Sequence, residues 1–320
     1  MCQNNGYRVV ITGKGGVGKT TLTSCLAAQL AANGTTVLAV DEDPQMNLPH
    51  ALGLSAREAG EIVPLNLSND YIAEKTGIRP GASGWGAMFK LNPDVDDVVH
   101  RFGVRVAPKL NLLVMGTVKQ AGGGCLCAEN VLLDSTIRHL ALRKDEAILL
   151  DTQAGMEHFG RALAKGFQHC LVVSDDSFNA LCVAEQSAQL ARELGIGRVS
   201  LVVNRGRLGT SDKLAHFDEE RSVSLAHSFD DVFFLPFEER LESLEPAVTR
   251  ILAFQDSRYA KAVAGLASRL GGHGCDCGVE KHEHGHTHGP EHGHGHGNGH
   301  VHGHDQSHAP TQELRLGTEG

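Results

Sequence analysis

The sequence predicts an α/β fold in which a mostly parallel sheet carries helices on both faces. Apolar runs alternate with helical patterns over the first 270 of the 320 residues, as expected for repeated strand and helix units. A glycine-rich turn joins the first run to the first helix, and several later runs end in an acidic or amide residue. In parallel sheets such strand ends face the crevice where ligands bind.

Each element is assigned from its own pattern, strands from short apolar runs and helices from longer periodic segments. The predicted strands cover residues 7–12, 36–41, 111–115, 146–151, 170–174, 199–205 and 232–236. The predicted helices cover residues 22–32, 128–142, 179–194 and 260–270. Residues 50–106 are irregular and rich in proline, and there we predict only an excursion of short elements.

The turn after the first strand has the spacing G-x-x-x-x-G-K-T. Glycines let backbone N–H groups turn inward on an anion at a helix N-terminus, where the helix dipole also favours negative charge. The predicted phosphate-binding residues are Gly13, Gly15, Gly16, Val17, Gly18, Lys19, Thr20 and Thr21. Lys19 would reach the terminal phosphates and Thr20 would bind Mg²⁺. The sequence therefore predicts a phosphate-loop nucleotide hydrolase that uses ATP and Mg²⁺.

Two later strands end in acidic residues. Asp41 and Asp43 follow the second strand, and two acids at this spacing suit Mg²⁺ and the attacking water. Asp151 ends another strand and suits a Mg²⁺-bound water, and the backbone N–H of Gly155 suits a γ-phosphate. His158 and Arg161 follow, either as switch residues or as solvated helix positions.

Composition and charge limit the kinds of partner and the cellular compartment that we expect for the protein. The net charge is −9, which does not favour nucleic acid or an anionic membrane surface as a partner. Since the sequence shows neither a signal peptide nor a long apolar span, we expect a cytoplasmic protein. The eight cysteines should then be reduced, with Cys25, Cys170 and Cys182 as small core residues.

A Cys-x-Cys pair, Cys125 and Cys127, follows three glycines and precedes a predicted helix. This setting lowers thiol pKa values and favours metal thiolates. Two thiolates are too few for a closed tetrahedral site, but a symmetric dimer would supply four. The pair therefore predicts a metal shared between subunits, either Ni²⁺ or Zn²⁺. Two loop cysteines without a ligand are the alternative.

The last segment differs from the rest in composition. We divide the chain into a domain at residues 1–270 and a tail at 271–320, which contains twelve of the nineteen histidines and few apolar residues. Such a segment cannot bury a core and should be disordered without a ligand. Its candidate ligands for Ni²⁺, Cu²⁺ or Zn²⁺ include Cys275, Cys277, His282, His284, His286, His288, His292, His294 and His296.

Lys14, directly after the first glycine, gives the loop a resemblance to the deviant phosphate-loop ATPases, which include the partition, Min and metal-maturation ATPases. The resemblance implies that Lys14 reaches the nucleotide of a partner subunit in an ATP-dependent dimer. It also implies that Asp41 belongs to the metal shell, that Asp43 orients water and that Asn204 pairs with the adenine edge. From the residues alone, Lys14 could be a solvated lysine and Asn204 a turn residue.

Combined with Cys125-x-Cys127 and the segment from Asp151 to His158, this loop resembles the carbon monoxide dehydrogenase maturation ATPases, which insert nickel. The resemblance implies ATP hydrolysis coupled to nickel delivery, with that dehydrogenase as the client. The histidine-rich tail departs from that family and is similar to tails of nickel chaperones. The alternatives are a partition or Min-type positioning ATPase, an iron–sulfur scaffold ATPase, and a metal buffer with vestigial ATP binding.

Overall fold

A computed structural model of the chain describes residues 6–79, 90, 93–116, 127–139, 145–154, 164 and 166–272. One compact unit covers Met1–Cys277, and all of the second, Gly278–Gly320, lies outside the described residues. The domain boundary at residue 270 therefore stays a prediction.

The strands of the described residues form one sheet. They are β1 (Tyr7–Gly13), β2 (Thr36–Asp41), β3 (Val104–Ala107), β4 (Leu110–Val114), β5 (Glu146–Asp151), β6 (His169–Ser174), β7 (Arg198–Gly206) and β8 (Asp231–Pro236). Their order is β3-β4-β2-β5-β1-β6-β7-β8, and all neighbours are parallel except β3 and β4. The predicted mostly parallel sheet is confirmed.

Helices connect most of the strands. They are α1 (Lys19–Ala32), α2 (Leu48–Ala51), α3 (Ala56–Gly60), α4 (Asn69–Thr76), α5 (Val98–Phe102), α6 (Cys127–His139), α7 (Phe178–Glu193), α8 (Thr210–Arg221), α9 (Leu225–Ser228), α10 (Arg240–Leu244) and α11 (Arg258–Gly272), with 3-10 turns at Leu65–Leu67 and Val248–Ala253. The irregular stretch at 50–106 is thus the predicted set of short elements where it is described.

The central strand β1 shows how the sheet separates two cores. Val9 and Ile11 pack with α1 and α11 on one face, whereas Val10 packs with α6 and α7 on the other. Because successive strand residues point to opposite faces, a strand covered on both sides has to be apolar throughout. The predicted placement of helices on both faces is confirmed.

Strand β3 was missed by the sequence-based assignment. It is four residues long, lies at the sheet edge antiparallel to β4, and is only half-buried. An edge strand with one partner tolerates Arg105 in its middle, so no apolar run marks it. Helix α1 also begins earlier than predicted, at Lys19 inside the glycine loop.

Candidate functional site

The glycine loop turns sharply between β1 and α1. Gly13 has φ 143°, and a Cβ there would lie 2.1 Å from the carbonyl oxygen of Val173 in β6. Gly18 has φ 95°, and its Cβ would lie 2.3 Å from Nδ2 of Asn204. Both positions therefore require glycine, one for close strand packing and one for the turn into the helix. Gly18 offers α1 no side-chain cap, so the first N–H groups of that helix suit an anion.

The two loop lysines have different surroundings. Lys19 is 7% exposed, and its Nζ donates to the carbonyl oxygen of Lys14 over 3.3 Å. Burial lowers the pKa of Lys19, while the charges of Asp151 and Asp43 oppose that shift. Lys14 itself has an exposed side chain. Lys19 is thus held inside the loop beside the acids, whereas the side chain of Lys14 is exposed to solvent.

Asp151, at the end of β5, is 1% exposed and bonded to the first turn of α1. Its Oδ2 accepts from Oγ1 of Thr20 at 2.7 Å, and its Oδ1 accepts from Oγ1 of Thr23 at 3.0 Å. Burial raises the pKa of Asp151 to about 6 against the effect of these hydrogen bonds and of Lys19. Thr23 is a contact that the motif did not name, although it lies one helical turn after Thr20 on the same face.

Asp41 lies opposite Asp151 in the register of the neighbouring strands β2 and β5. Its Oδ1 accepts from the N–H of Asp43 at 3.0 Å and its Oδ2 from the N–H of Leu48 at 3.2 Å. Burial, followed by the charge of Asp151, raises the pKa of Asp41 well above its ordinary value. Asp43 is half-buried and accepts from the N–H of Gln45 at 2.8 Å.

These residues fit a hard divalent cation. Two buried carboxyl groups, Asp41 and Asp151, lie opposite each other in one register. Burial raises both pKa values, and the charge of Asp151 raises that of Asp41 further, so a bound cation would favour their ionised forms. Carboxylate and hydroxyl oxygens are the ligands that Mg²⁺ takes together with phosphate oxygens. Thr20, Asp41 and Asp151 could therefore hold Mg²⁺ beside a nucleotide in the loop.

Asn204, at the end of β7, contacts the loop from the opposite side. Its Nδ2 donates to the carbonyl oxygen of Val17 at 2.8 Å, and its Oδ1 accepts from the N–H of Arg205 at 2.9 Å. The side chain is 5% exposed. Asn204 therefore supports the turn at Gly18 in this structure, and its predicted contact with adenine stays a prediction.

Several predicted site residues lie outside the described residues, namely Gly155, His158, Arg161, Cys125, Cys275, Cys277 and the tail histidines. Cys127 is the first residue of α6. Cys25 and Cys170 are buried and Cys182 is half-buried against the core, which confirms them as core residues. Burial raises the pKa of Cys25 to about 12. Among the described residues, no group of three or more His, Cys, Asp or Glu side chains lies close enough together to hold a metal ion.

The comparisons with known proteins agree with this geometry. Residues 8–244 match the model of the CobQ/CobB/MinD/ParA nucleotide binding domain. The chain belongs to this family. It is an ATPase, and the predicted phosphate-loop fold is thereby confirmed. In the part of the chain that the structure describes, no helix is long and apolar enough to cross a membrane.

Two relatives by sequence are informative. The chain is 38% identical to an uncharacterized ATP-binding protein of Methanocaldococcus jannaschii, over 73% of this chain and 86% of that protein. It is 34% identical to the carbon monoxide dehydrogenase accessory protein CooC of Rhodospirillum rubrum, over 82% of this chain and 96% of CooC. The ATPase domain is therefore of a CooC-like type.

Solved structures show the same fold. The MinC:MinD cell division complex of Aquifex aeolicus aligns with a TM-score of 0.57 at 21% identity, covering 83% of this chain and 96% of that one. MinD of Pyrococcus horikoshii, solved with Mg-ADP, aligns with a TM-score of 0.54 at 21% identity, covering 83% and 96%. At this identity the likeness concerns the fold.

Proposed function

We propose that this protein is a cytoplasmic, ATP-hydrolysing nickel-insertion factor for carbon monoxide dehydrogenase, active as a homodimer. The similarity to CooC across 96% of that protein's length carries the proposal. The Cys-x-Cys pair supports it, because Cys127 opens α6 and Cys125 lies two residues earlier. Thiolates are ligands that nickel and zinc accept.

Each polar residue of the nucleotide site has a proposed role in binding or hydrolysing ATP. The loop N–H groups and Lys19 bind the phosphates, and Thr20, Asp41 and Asp151 hold Mg²⁺, which neutralises charge on the phosphate oxygens. Asp43 is half-buried, whereas Asp41 and Asp151 are buried. Because its carboxylate is accessible to solvent, it can orient a water molecule toward the γ-phosphate. The N–H of Gly155 is assigned to the same phosphate from the sequence.

Dimerisation links this chemistry to the metal. Lys14 is exposed at the loop, where it can reach a nucleotide bound by a second copy. In the same dimer, two Cys125/Cys127 pairs supply the four ligands of a closed site. ATP binding would bring the pairs together, and hydrolysis would separate them and release nickel to the client.

The tail is proposed as a nickel store. Its histidines are separated mainly by glycine, and neutral imidazoles on a flexible chain bind nickel, copper and zinc. Since binding needs the neutral ring, the store should empty as the pH falls below about 6.5. Cys275 and Cys277 would add thiolates to it.

Native mass spectrometry of the full chain with Ni²⁺, with and without Mg-ATP, tests the proposal. The Cys125→Ser/Cys127→Ser variant should lose about one nickel ion per dimer, the ion held with four thiolates. The matched control is Cys275→Ser/Cys277→Ser, which changes two thiols of the tail and should keep that ion. Equal nickel content and equal dimerisation in the two variants would contradict the proposal. An iron–sulfur scaffold would instead show cluster absorbance after anaerobic reconstitution with iron and sulfide.

A further inference from the structure

Thr23 lies in the second turn of α1, and its side chain is fully buried between the two halves of the nucleotide site. Its Oγ1 is 2.9 Å from the carbonyl oxygen of Lys19 and 3.0 Å from Oδ1 of Asp151. One hydroxyl group therefore joins the start of α1, where the phosphate loop ends, to the end of strand β5.

The hydroxyl of Thr23 carries one proton, so it can donate to only one of these two oxygens at a time. The carbonyl oxygen of Lys19 also faces the backbone N–H of Thr23, its partner in the hydrogen-bond pattern of the α-helix. The ionised carboxylate of Asp151 is the stronger acceptor, because a charged partner makes a hydrogen bond about twice as strong. We therefore expect the proton to lie between Thr23 and Asp151 whenever Asp151 is ionised.

The two oxygens of the Asp151 carboxylate are held by different hydroxyls. Oδ2 accepts from Thr20, a candidate Mg²⁺ ligand, at 2.7 Å, and Oδ1 accepts from Thr23. Among the residues that the structure describes, no other group donates to this carboxylate. Without Thr23 the carboxylate would be held at one oxygen only, and the buried Oδ1 would lose its donor. Thr23 thus fixes the orientation in which Oδ2 meets Thr20.

A comparison with the next residue separates this contact from an ordinary feature of helices. Hydroxyl side chains inside helices often bond only to a carbonyl oxygen three or four residues earlier. Ser24 is of this local kind, since its buried side chain donates to the carbonyl oxygen of Thr21 at 3.0 Å. The hydroxyl of Thr23 also reaches Asp151, 128 positions later in the chain. A local role explains its bond to Lys19 but not its bond to Asp151.

We propose that Thr23 is a positioning residue of the ATPase, whose hydroxyl holds the Asp151 carboxylate beside Thr20 in the arrangement that binds Mg²⁺. The proposal rests on the assignment of Thr20 and Asp151 to Mg²⁺ and is independent of nickel. Groups that hydrogen-bond to metal ligands orient those ligands, and their loss typically costs about 10- to 100-fold in metal affinity or activity. Thr23 therefore acts on the metal through Asp151.

The test measures the factor by which Mg²⁺ tightens the binding of a non-hydrolysable ATP analogue to the full chain. Calorimetric titrations with Mg²⁺ and with excess chelator give the two affinities. Thr23→Val keeps the branched shape but lacks the hydroxyl, so the factor should fall by about 10- to 100-fold, while the affinity in chelator stays unchanged. Thr23→Ser keeps the hydroxyl and should restore most of the factor. The matched control Ser24→Ala removes a buried hydroxyl from the same turn and should keep it.

The outcomes separate a positioning role from a structural one. If Thr23 only stabilises the fold, Thr23→Val unfolds at a lower urea concentration but keeps the wild-type factor, and that result would overturn the proposal. A factor in Thr23→Ser as low as in Thr23→Val would also overturn it. If Thr23→Val does not fold, Thr23→Ala removes the same hydroxyl and is measured instead.

Asp151→Asn distinguishes failure of this proposal from failure of the Mg²⁺ assignment. If Asp151→Asn keeps the wild-type factor, Asp151 does not hold Mg²⁺, and the role of Thr23 fails with that assignment. If Asp151→Asn loses the factor but Thr23→Val keeps it, the Mg²⁺ assignment stands and the role of Thr23 alone is rejected.

Discussion

Replacing Asp151 by asparagine should abolish ATP hydrolysis and yet stabilise the nucleotide-free protein. Burial raises the pKa of this carboxyl from 3.8 to about 6, so keeping it ionised in the folded state costs about 3 kcal/mol. Asparagine removes the charge but leaves a single acceptor oxygen for the hydroxyls of Thr20 and Thr23. Losing one hydrogen bond costs about 1 kcal/mol. The variant should therefore be more stable by about 2 kcal/mol above pH 7.

The sign of the pH dependence follows from the direction of the shift. The carboxyl is harder to ionise in the folded state than in the unfolded chain, whose aspartate pKa is about 3.9. The cost is absent below about pH 4, grows up to about pH 6 and is complete above it. Asp41, whose pKa is raised by burial and by Asp151, should itself become easier to ionise in the variant. The advantage of Asp151→Asn should accordingly appear as the pH rises through this window.

Urea unfolding of the full chain in excess chelator, at about pH 4.5 and about pH 8, measures the difference. Asp176→Asn is the control, because we expect it to change the unfolding free energy at high pH in the opposite direction. Burial raises the pKa of Asp176, but hydrogen bonds from Lys213 and Thr210 outweigh it and leave the pKa lowered, so this variant should lose stability at the higher pH. The reasoning would be refuted if Asp151→Asn were less stable than wild type at about pH 8. It would also be refuted if the difference in unfolding free energy between the two proteins were the same at both pH values.

Three further predictions concern the loop. Gly13→Ala should unfold at a lower temperature than Gly16→Ala, because its Cβ would meet the backbone of Val173 while that of Gly16 meets nothing within 4 Å; similar melting temperatures would contradict this. Lys14→Ala should bind ATP as a monomer but lose hydrolysis and ATP-dependent dimerisation, as seen by light scattering, and a normal dimer would argue against a role across subunits. Asn204→Ala should weaken ATP and GTP binding equally if its amide only supports the loop, whereas a loss confined to ATP would favour contact with adenine.

The position of the phosphate loop was predictable because it is local in sequence. The glycine spacing fixes Lys19 and Thr20 at a helix start, and strand ends of a parallel sheet meet at one edge. The sequence also places Asp41 and Asp151 at strand ends, but their position opposite each other depends on the pairing of β2 with β5, which the structure shows.

The contacts that could not be predicted from the sequence are those that depend on which strands are neighbours in the sheet. The hydrogen bond between Met115 and Asp41 requires β4 beside β2, and nothing in either apolar run specifies that pairing. The bond from Asn204 to Val17 joins residues 187 positions apart. Strand β3 was missed because its edge position requires no continuous apolar run.

The most direct test of the central claim is activation of nickel-free carbon monoxide dehydrogenase by the full chain loaded with nickel. We predict that activation requires Mg-ATP, is lost in Asp43→Ala and in Cys125→Ser/Cys127→Ser, and persists in Cys275→Ser/Cys277→Ser at saturating nickel. Activation that proceeds equally without ATP, or with both cysteine pairs replaced, would contradict ATP-driven delivery from this site.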